Sequence, residues 1–486
     1  MKKFLLRFAA LVAVLIIIML VRAGTAFEDM QVEPALELPE VTLDQAAVVE
    51  RFAAAIRFPT ISHDDRSNFD AAAFSAFGEY LRESFPLVHE RAQRTVISDY
   101  SLVFHIAGSD PSLKPVLFMG HMDVVPVDAV TLEQWTHGPF DGVVEDGVIW
   151  GRGALDDKLS VMSFLEATEA LLRDGHEPSR SLYLSFGHDE EVGGADGAQQ
   201  IVKHFQQQNI EFEFVLDEGG LVTEGMLGFV DRPVAIIGVG EKGYVNLRLT
   251  VNAPGGHSSQ PPPQTALGIV SRAVVKVEDN PFPAQFTYMQ LTFDHLATYS
   301  SFTNRLAMGN TWLLGPVLKS LLIKDKTSAA TLRTTTAATM ATGSSKSNIL
   351  PTRAEAVINF RVMPGETTES VRDRVIELID DERVEVTMEY VFEPTAISPT
   401  DSMGYELLSS MIRGFDENIL VAPYLVQGGT DARFFHPLSP NIYRFIMVRA
   451  KPETLAVIHG INERIAVEDY LLAIRFYYAF MQRVTE

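Results

Sequence analysis

Short apolar runs alternate with helical stretches through the first half of the chain. "KPVLFMGHMDVVPV", "RSLYLSFGHDEE" and "FEFVLDEGG" each begin like a buried strand and end in polar or glycine-rich sequence. Between them, "KLSVMSFLEATEALLRDG" and "ADGAQQIVKHFQQQ" space their apolar residues as one face of a helix does. Two more amphipathic helices are predicted upstream, near "LDQAAVVERFAAAIRF" and "FDAAAFSAFGEYLRESF". Strand–helix alternation of this kind predicts an α/β fold with a mixed, largely parallel sheet. Ligands of such sheets gather beyond the carboxyl ends of the strands, so the polar ends of the three runs are where chemistry is expected.

From Glu241 the texture changes. "EKGYVNLRLTVNAPGGHSSQPPPQTALGIVSRAVVKVED" reads as a strand, a glycine turn and a helix, and "ILPTRAEAVINFRVMPGETTESVRDRVIELIDD" as a strand and a helix. A smaller α+β domain inserted into the first fits this pattern. The expected organisation is an N-terminal segment 1–27, an acidic linker 28–42, a catalytic domain in two parts, 43–240 and 367–486, and an inserted domain 241–366. The closing part holds "NIYRFIMVR" as a strand and "VEDYLLAIRFYYAFMQRV" as a helix. Inside the insert, a long stretch over about residues 278–345 ends in the Ala/Thr-rich "TSAATLRTTTAATMATGSSKS", which reads as a loop. Its apolar "TWLLGPVLKSLLI" predicts ordinary helix packing, with an acyl-chain wall or a membrane-facing lid as the alternative.

The N-terminus differs from all that follows. Lys2, Lys3 and Arg7 precede an apolar run from Phe8 to Val21 that Arg22 closes, the basic-then-apolar order of export signals. The run is shorter than the roughly 20 residues of a spanning helix, but Leu5, Leu6 and residues 23–27 extend it if the arginines snorkel. The small residues of "AGTA" permit cleavage. Signal peptide and uncleaved membrane anchor stand equal, and both place the catalytic body outside the cytoplasm, as a periplasmic, secreted or anchored protein. The net charge of -23 argues against a nucleic-acid partner, since phosphate backbones are bound by excess Lys and Arg. The chain has no cysteine, which excludes disulfides, thiolate nucleophiles and cysteine-type zinc sites. Any metal must be held by His, Asp and Glu.

Residues of those types cluster at the strand ends. They are His121 and Asp123 in "GHMDVVP", Asp156 in "GRGALDDK", Glu190 and Glu191 in "GHDEEVGG", Asp217 in "LDEGG" and His459 in "IHGINERI". Imidazole with carboxylate is the zinc ligand set when thiolates are absent. A two-metal site lowers the pKa of water and polarises a carbonyl, and one further carboxylate then serves as general base. Of the adjacent glutamates, one suits a ligand and the other proton transfer. Taken singly, each residue is weak evidence, because an acid at a strand end is more often a helix cap and "DEE" alone suits a helix N-terminus. Their joint position at successive strand ends is the signal.

The set "GHMDVVPV", "WGRGALDDK", "GHDEEVGG", "LDEGG", "GGHSS" and "HGINE" resembles the zinc-dependent exopeptidase and amidohydrolase family of aminoacylase, carnosinase and glutamate carboxypeptidase. "EKGYVNLRLTV" and "PGGHSSQPPP" are most similar to its carboxypeptidase S and secreted N-fatty-acyl-amino-acid hydrolase branch. The resemblance implies a zinc-exopeptidase catalytic domain with an inserted lid and dimerisation domain. It implies two Zn2+, with Co2+ or Mn2+ as substitutes. Asp156 would bridge them, His121 and Asp217 completing one site and Glu191 and His459 the other. Glu190 would be the general base and Asp123 would orient the His121 ring. A cis Asp156–Asp157 peptide is also implied. His257 of the insert would hold the oxyanion, a role worth about 3–4 kcal/mol, often from a neighbouring subunit. Arg361, Asn348, Gly429 and Thr430 would meet the substrate, Arg361 as a carboxylate clamp. His137, His188 and His436 are read as structural.

These readings converge on a metallohydrolase that cleaves an amide bond beside a free carboxylate, as a carboxypeptidase or dipeptidase on short peptides. The alternative within the class is an N-acyl-amino-acid amidohydrolase, including fatty-acyl substrates. A metal-binding module without catalysis is the alternative of another class, and it is disfavoured because the base and every ligand are present. A serine hydrolase is disfavoured by the absence of G-x-S-x-G, and H-E-x-x-H is absent as well. Pairing through the insert is the homodimer the resemblance implies, unless the enlarged insert blocks that edge.

Overall fold

The computed structural model describes residues 1–35 and 38–486; residues 36 and 37, within the expected linker, lie outside the described residues. A mixed, largely parallel sheet of ten strands forms the centre of the larger unit. Its order runs Gln93–Ile97, Ser101–Ile106, Leu182–Gly187, Val116–His121, Val215–Asp217, Ile442–Arg444, Val234–Glu241, Val222–Thr223 and Arg449–Ala450. Leu420–Val426 pairs with Val234–Glu241 off this path. Side chains alternate across the sheet with the two-residue period of a strand. Phe118 and Leu216 face a large core with the helices Lys158–Arg173 and Val467–Thr485, while Leu117, Met119 and Val215 face a second core with Ala198–Gln207. Burial on both faces is why these strands read as continuous apolar runs rather than alternating ones.

Val116–His121 is parallel to Leu182–Gly187 on one side and Val215–Asp217 on the other. All three therefore end at one edge, where His121, the "HDEE" turn and the "DEGG" turn follow. Lys158–Arg173 begins immediately after Asp156 and Asp157, whose connecting peptide is cis.

The second unit is an antiparallel sheet in the order Thr335–Thr342, Arg353–Val362, Gly243–Asn252 and Glu385–Phe392. Ala266–Glu278 and Thr368–Ile379 cover one face of it and share its core. Two expectations are corrected here. A boundary at 366 leaves Thr368–Ile379 and Glu385–Phe392 with the catalytic part, yet that strand pairs with Gly243–Asn252 and that helix packs on the same core. A strand followed by a helix occurs in both units, so the pattern alone did not mark the return. The Ala/Thr tract is not a loop. Its first part belongs to the helix Lys326–Leu332 and its second part is the edge strand Thr335–Thr342, paired with Arg353–Val362. Threonine-rich sequence suits an edge strand because its side chains are β-branched and tolerate solvent.

Between Ala266–Glu278 and that edge strand lie the helices Thr287–Leu296, Phe302–Met308, Thr311–Leu322 and Lys326–Leu332. The first joins the main sheet, with the Thr292 hydroxyl donating to the Pro423 carbonyl at 2.8 Å. At the junction of the two units, Arg444 is fully buried and paired with Glu241.

Candidate metal centre

Asp156 stands at the middle of two triads, His121–Asp156–Glu218 and Asp156–Glu191–His459. Its Oδ1 lies 3.0 Å from His121 Nε2, and its Oδ2 lies 2.9 Å from His459 Nε2. Glu218 Oε1 is 3.4 Å from His121 Nε2, and Glu191 Oε2 is 3.3 Å from His459 Nε2. Each oxygen of one carboxylate thus faces one histidine and one glutamate.

The third carboxylate of the two triads is Glu218, not the expected Asp217. Asp217 is the last residue of its strand, and consecutive side chains of an extended chain point to opposite sides. Its Oδ2 accepts the Ala432 N–H at 2.9 Å, which leaves the next residue to face His121.

Asp123 has two duties. His121 Nδ1 lies 2.9 Å from the Asp123 carbonyl and 3.3 Å from its Oδ1. A carbonyl only accepts, so Nδ1 carries the proton and Nε2 faces Asp156. The same carboxylate accepts the N–H groups of Glu190 and Glu191, both at 3.2 Å. It therefore aims the imidazole and fixes the turn that presents both glutamates.

Glu463, the last residue of "HGINE", is a second positioning group. Glu463 is fully buried, and its Oε1 accepts the N–H groups of Gly153, Leu155 and Asp156 at 3.1, 2.8 and 3.1 Å. Its Oε2 takes Arg152 Nη1 at 2.6 Å, while Arg152 Nη2 donates to the carbonyls of His459 and Gly460 at 3.2 and 3.1 Å. The pair ties the loop of Asp156 to the loop of His459. His459 itself has φ +56, the left-handed region. The signal available in the sequence was the charge pair itself, Arg152 and Glu463, within two of the quoted motifs.

The electrostatics favour a cation. With Nδ1–H committed, neutral His121 would set its Nε2 lone pair against a carboxylate oxygen, which is repulsive unless a positive charge lies between. Hydrogen bonds that the ring donates to Asp156 and then to Glu191 push His459 up to about 10. Burial, and then Asp156, raises Glu218 above the ordinary carboxylate range. Burial, and then Asp156, also raises Glu191, whose Oε1 is buried without a hydrogen-bond partner. Burial would raise Asp156 too, but the hydrogen bonds to His121 and His459 outweigh it and hold it low. Imidazole and carboxylate donors gathered in this way fit a divalent metal such as zinc.

Glu190 stands outside both triads, its Oε1 3.9 Å from Arg433 Nη1. Burial pushes its carboxyl well above the usual range, against the pull of His121. Arg433 lies over the rings of Phe392 and Phe434 at 4.6 and 4.8 Å. Arg361 lies over the Tyr244 ring at 4.5 Å.

Other expected residues lie elsewhere. Thr430 is buried, and its Oγ1 and N–H both donate to Glu241, at 2.7 and 3.1 Å, so its hydroxyl is committed to the unit junction. At Gly429 a Cβ would come 2.5 Å from Arg433 Nη1, so glycine there keeps room for that guanidinium. His257 and Asn348 are exposed and adjacent, on the two-stranded ribbon of Gly256–His257 and Ile349–Leu350. The Ser259 N–H donates to His257 Nδ1 at 3.1 Å, which leaves Nε2 as the proton-bearing nitrogen. Among the described residues, neither His257 nor Asn348 makes a hydrogen bond or ion pair to the triads.

His188 Nδ1 is 2.6 Å from the Ser101 hydroxyl, and His137 Nε2 is 3.2 Å from Glu145.

Residues 117–483 match the family described as Peptidase family M20/M25/M40. Over 473 residues the chain is 39% identical to the probable carboxypeptidase S-like 2 of Dictyostelium discoideum, covering 95% of this chain and 91% of that protein. Over 477 residues it is 40% identical to the N-fatty-acyl-amino acid synthase/hydrolase PM20D1 of Xenopus tropicalis, covering 96% and 92%. A solved structure, the M20 family metallo-carboxypeptidase Sso-CP2 from Sulfolobus solfataricus, shares the fold with a TM-score of 0.67 at 19% identity, covering 91% of this chain and 99% of that one. A family match across most of the chain and relatives similar along nearly its whole length lead to one conclusion: the chain belongs to the M20/M25/M40 peptidase family and is a hydrolase.

Proposed function

We propose that the chain is a di-zinc amidohydrolase that cleaves an amide bond beside a free carboxylate. The observation that carries this reading is Asp156 shared between two histidine–glutamate pairs, with the largely buried Glu190 next in sequence to Glu191 and outside both triads. His121, Asp156 and Glu218 would hold one cation, and Asp156, Glu191 and His459 the other. When bound, two such ions lower the pKa of water and polarise a carbonyl.

The residues of the chain do the rest. Glu190, with a raised proton affinity, accepts a proton from the attacking water and hands it to the leaving amine. Arg433 presents a guanidinium group beside Glu190, and Arg361 of the inserted unit offers a second one, a pair suited to the carboxylate of the released amino acid. The proton on His257 Nε2 suits an oxyanion donor, and its exposure suits service to the site of a paired subunit. The inserted unit acts as the lid.

Short peptides are the first substrate class, in line with the carboxypeptidase S-like relative. A specific observation favours N-fatty-acyl amino acids as the second. Lys2–Thr25 is long and apolar enough to cross a membrane, which would hold the site where lipid amides partition. The same helix supports an exported body, anchored or released by cleavage. The name of the Xenopus relative agrees with this second class.

The test is amino-acid release by zinc-loaded protein from one panel of dipeptides and N-acyl amino acids of short and long chain, with Glu190→Gln beside it. The variant is expected to keep its metal and lose about 10²–10⁴ in kcat. Undiminished turnover in that variant would remove Glu190 from proton transfer, and release from neither substrate set would sink the assignment for both.

A further inference from the structure

The helix Thr311–Leu322 is apolar on two sides and turns one of them outward. Trp312, Leu313, Val317 and Leu321 are 54, 41, 59 and 56% exposed, and only Gly315 of this helix is buried. Leu313, Val317 and Leu321 recur every four residues and form one stripe, which Trp312 and Pro316 widen. Exposed Phe302 and Ile323 continue the patch. The packing expected from the sequence accounts for one face, where Leu318 and Leu322 lie against the cluster of Phe293, Ala297 and Met308, and leaves the opposite apolar face uncovered. Contiguous apolar surface of this kind marks an interaction site.

Its position indicates the partner. The last turns of Lys2–Thr25 dock at the edge of the patch, where Arg22 Nε donates to the Gly309 carbonyl at 2.9 Å and Asn310 Nδ2 to the Met19 carbonyl at 3.1 Å. Ala23 is buried there, while no residue of the apolar window of the helix is buried. The following residues are fastened to the body. Tyr299 donates to Asp29 at 2.6 Å, and the Gln31 amide donates to the carbonyls of His295 and Val421, both at 3.0 Å. The N-terminal helix is thus set against the patch rather than hung on a loose tether.

From Lys3 to Arg22 an α-helix rises about 28 Å, close to the roughly 30 Å of a hydrocarbon core. With those basic residues at the two interfaces, Gly309 and Asn310 lie at the level of Arg22, and Trp312 follows at once. Tryptophan is favoured at that depth. Lys319, Lys324 and Lys326 on the same segment suit anionic headgroups.

We propose that the exposed face of Thr311–Leu322, with Phe302 and Ile323, lies in the headgroup–acyl boundary of the bilayer that Lys2–Thr25 enters, the two elements forming one membrane-docking surface. The proposal rests on this surface alone and holds whichever acyl group is cleaved. It has a consequence for the site. The chain leaves the patch through Lys326–Leu332, where the Thr327 carbonyl accepts Gln427 Nε2 at 3.2 Å, at the start of the loop that carries Gly429 and Arg433. One helix connects the membrane face to the loop beside Glu190.

The chain has three tryptophans, Trp135, Trp150 and Trp312, and the first two lie in the catalytic unit. The test reconstitutes the full chain into phosphatidylcholine–phosphatidylglycerol vesicles whose acyl chains carry bromine near the headgroup, and compares tryptophan quenching with that of Trp312→Phe. Quenching is expected in the native chain and is expected to be lost in Trp312→Phe. A Leu313→Ser/Val317→Ser/Leu321→Ser variant is expected to lose at least half of it while hydrolysing a soluble short-acyl substrate at the native rate. Equal quenching with and without Trp312 would overturn the proposal. So would an unquenched Trp312 in a chain that sediments as a dimer, since a second copy would then cover the patch. If the triple variant proves inactive, the comparison with Trp312→Phe still decides.

Discussion

At the scale of single residues, the site turns on a difference of one position. Asp217 and Glu218 are neighbours in "LDEGG", and which of them meets His121 depends on where the strand stops. The strand keeps its alternation through Asp217, which takes the Ala432 N–H, and Glu218 emerges on the metal side. Glu218→Gln is therefore expected to lower bound metal from two equivalents toward one, and to cost more activity than the roughly 10–100-fold usual for a residue behind a ligand. Asp217→Asn is expected to keep both equivalents and to lose about 1–3 kcal/mol of stability with its charged hydrogen bond. Metal content after dialysis and urea denaturation of the two variants check this. The reverse pattern would restore Asp217 as a ligand.

At the scale of elements, most of the architecture was legible because local and long-range signals agreed. Three apolar runs ending in His, Glu and Asp predicted parallel strands with a shared reactive edge, and Val116–His121, Leu182–Gly187 and Val215–Asp217 supply it. What could not be read were facts of pairing. Glu385–Phe392 belongs to the insert because of its hydrogen bonds to Gly243–Asn252, and no local pattern carries that information. The outward face of Thr311–Leu322 was hidden likewise, since an apolar stripe looks the same against a core or against solvent. The role of Glu463 is not local either, since its partners, Arg152 and three backbone N–H groups, are distant in sequence. Its action is on the loop and not on the metal, so Glu463→Gln is expected to weaken metal affinity about 10–100-fold while leaving all five ligands in place. Competition with a chelator would measure it, and unchanged affinity would reduce Glu463 to a purely structural role.

At the scale of the whole molecule, the catalytic and inserted units meet over a buried polar junction that should set the response to acid. Arg444 and Glu241 form its centre, Thr430 donates to the same carboxylate, and Lys242 Nζ donates to the carbonyls of Ala330 and Arg333 at 3.0 and 2.8 Å. His436 sits beside this group, its Nε2 buried and without a hydrogen-bond partner among the described residues. Burial, and then the Arg444 charge, push the ring down to about 4. An unfolded histidine titrates near 6.5, so between about pH 6.5 and 4 the unfolded chain holds a proton that the folded chain refuses. Stability supplied by the neutral ring is thus complete above about pH 6.5 and declines as the pH falls, by up to about 1.4 kcal/mol per unit in the steep part of that window. Other groups also titrate there, so the informative quantity is the difference between the native chain and His436→Gln. Urea midpoints of both, taken at several pH values between 7.5 and 4.5 with metal held constant, should converge as the pH falls, because the variant lacks this one penalty. Parallel curves would mean that the folded protein already admits a proton at His436, and that the junction is wetter than its packing implies.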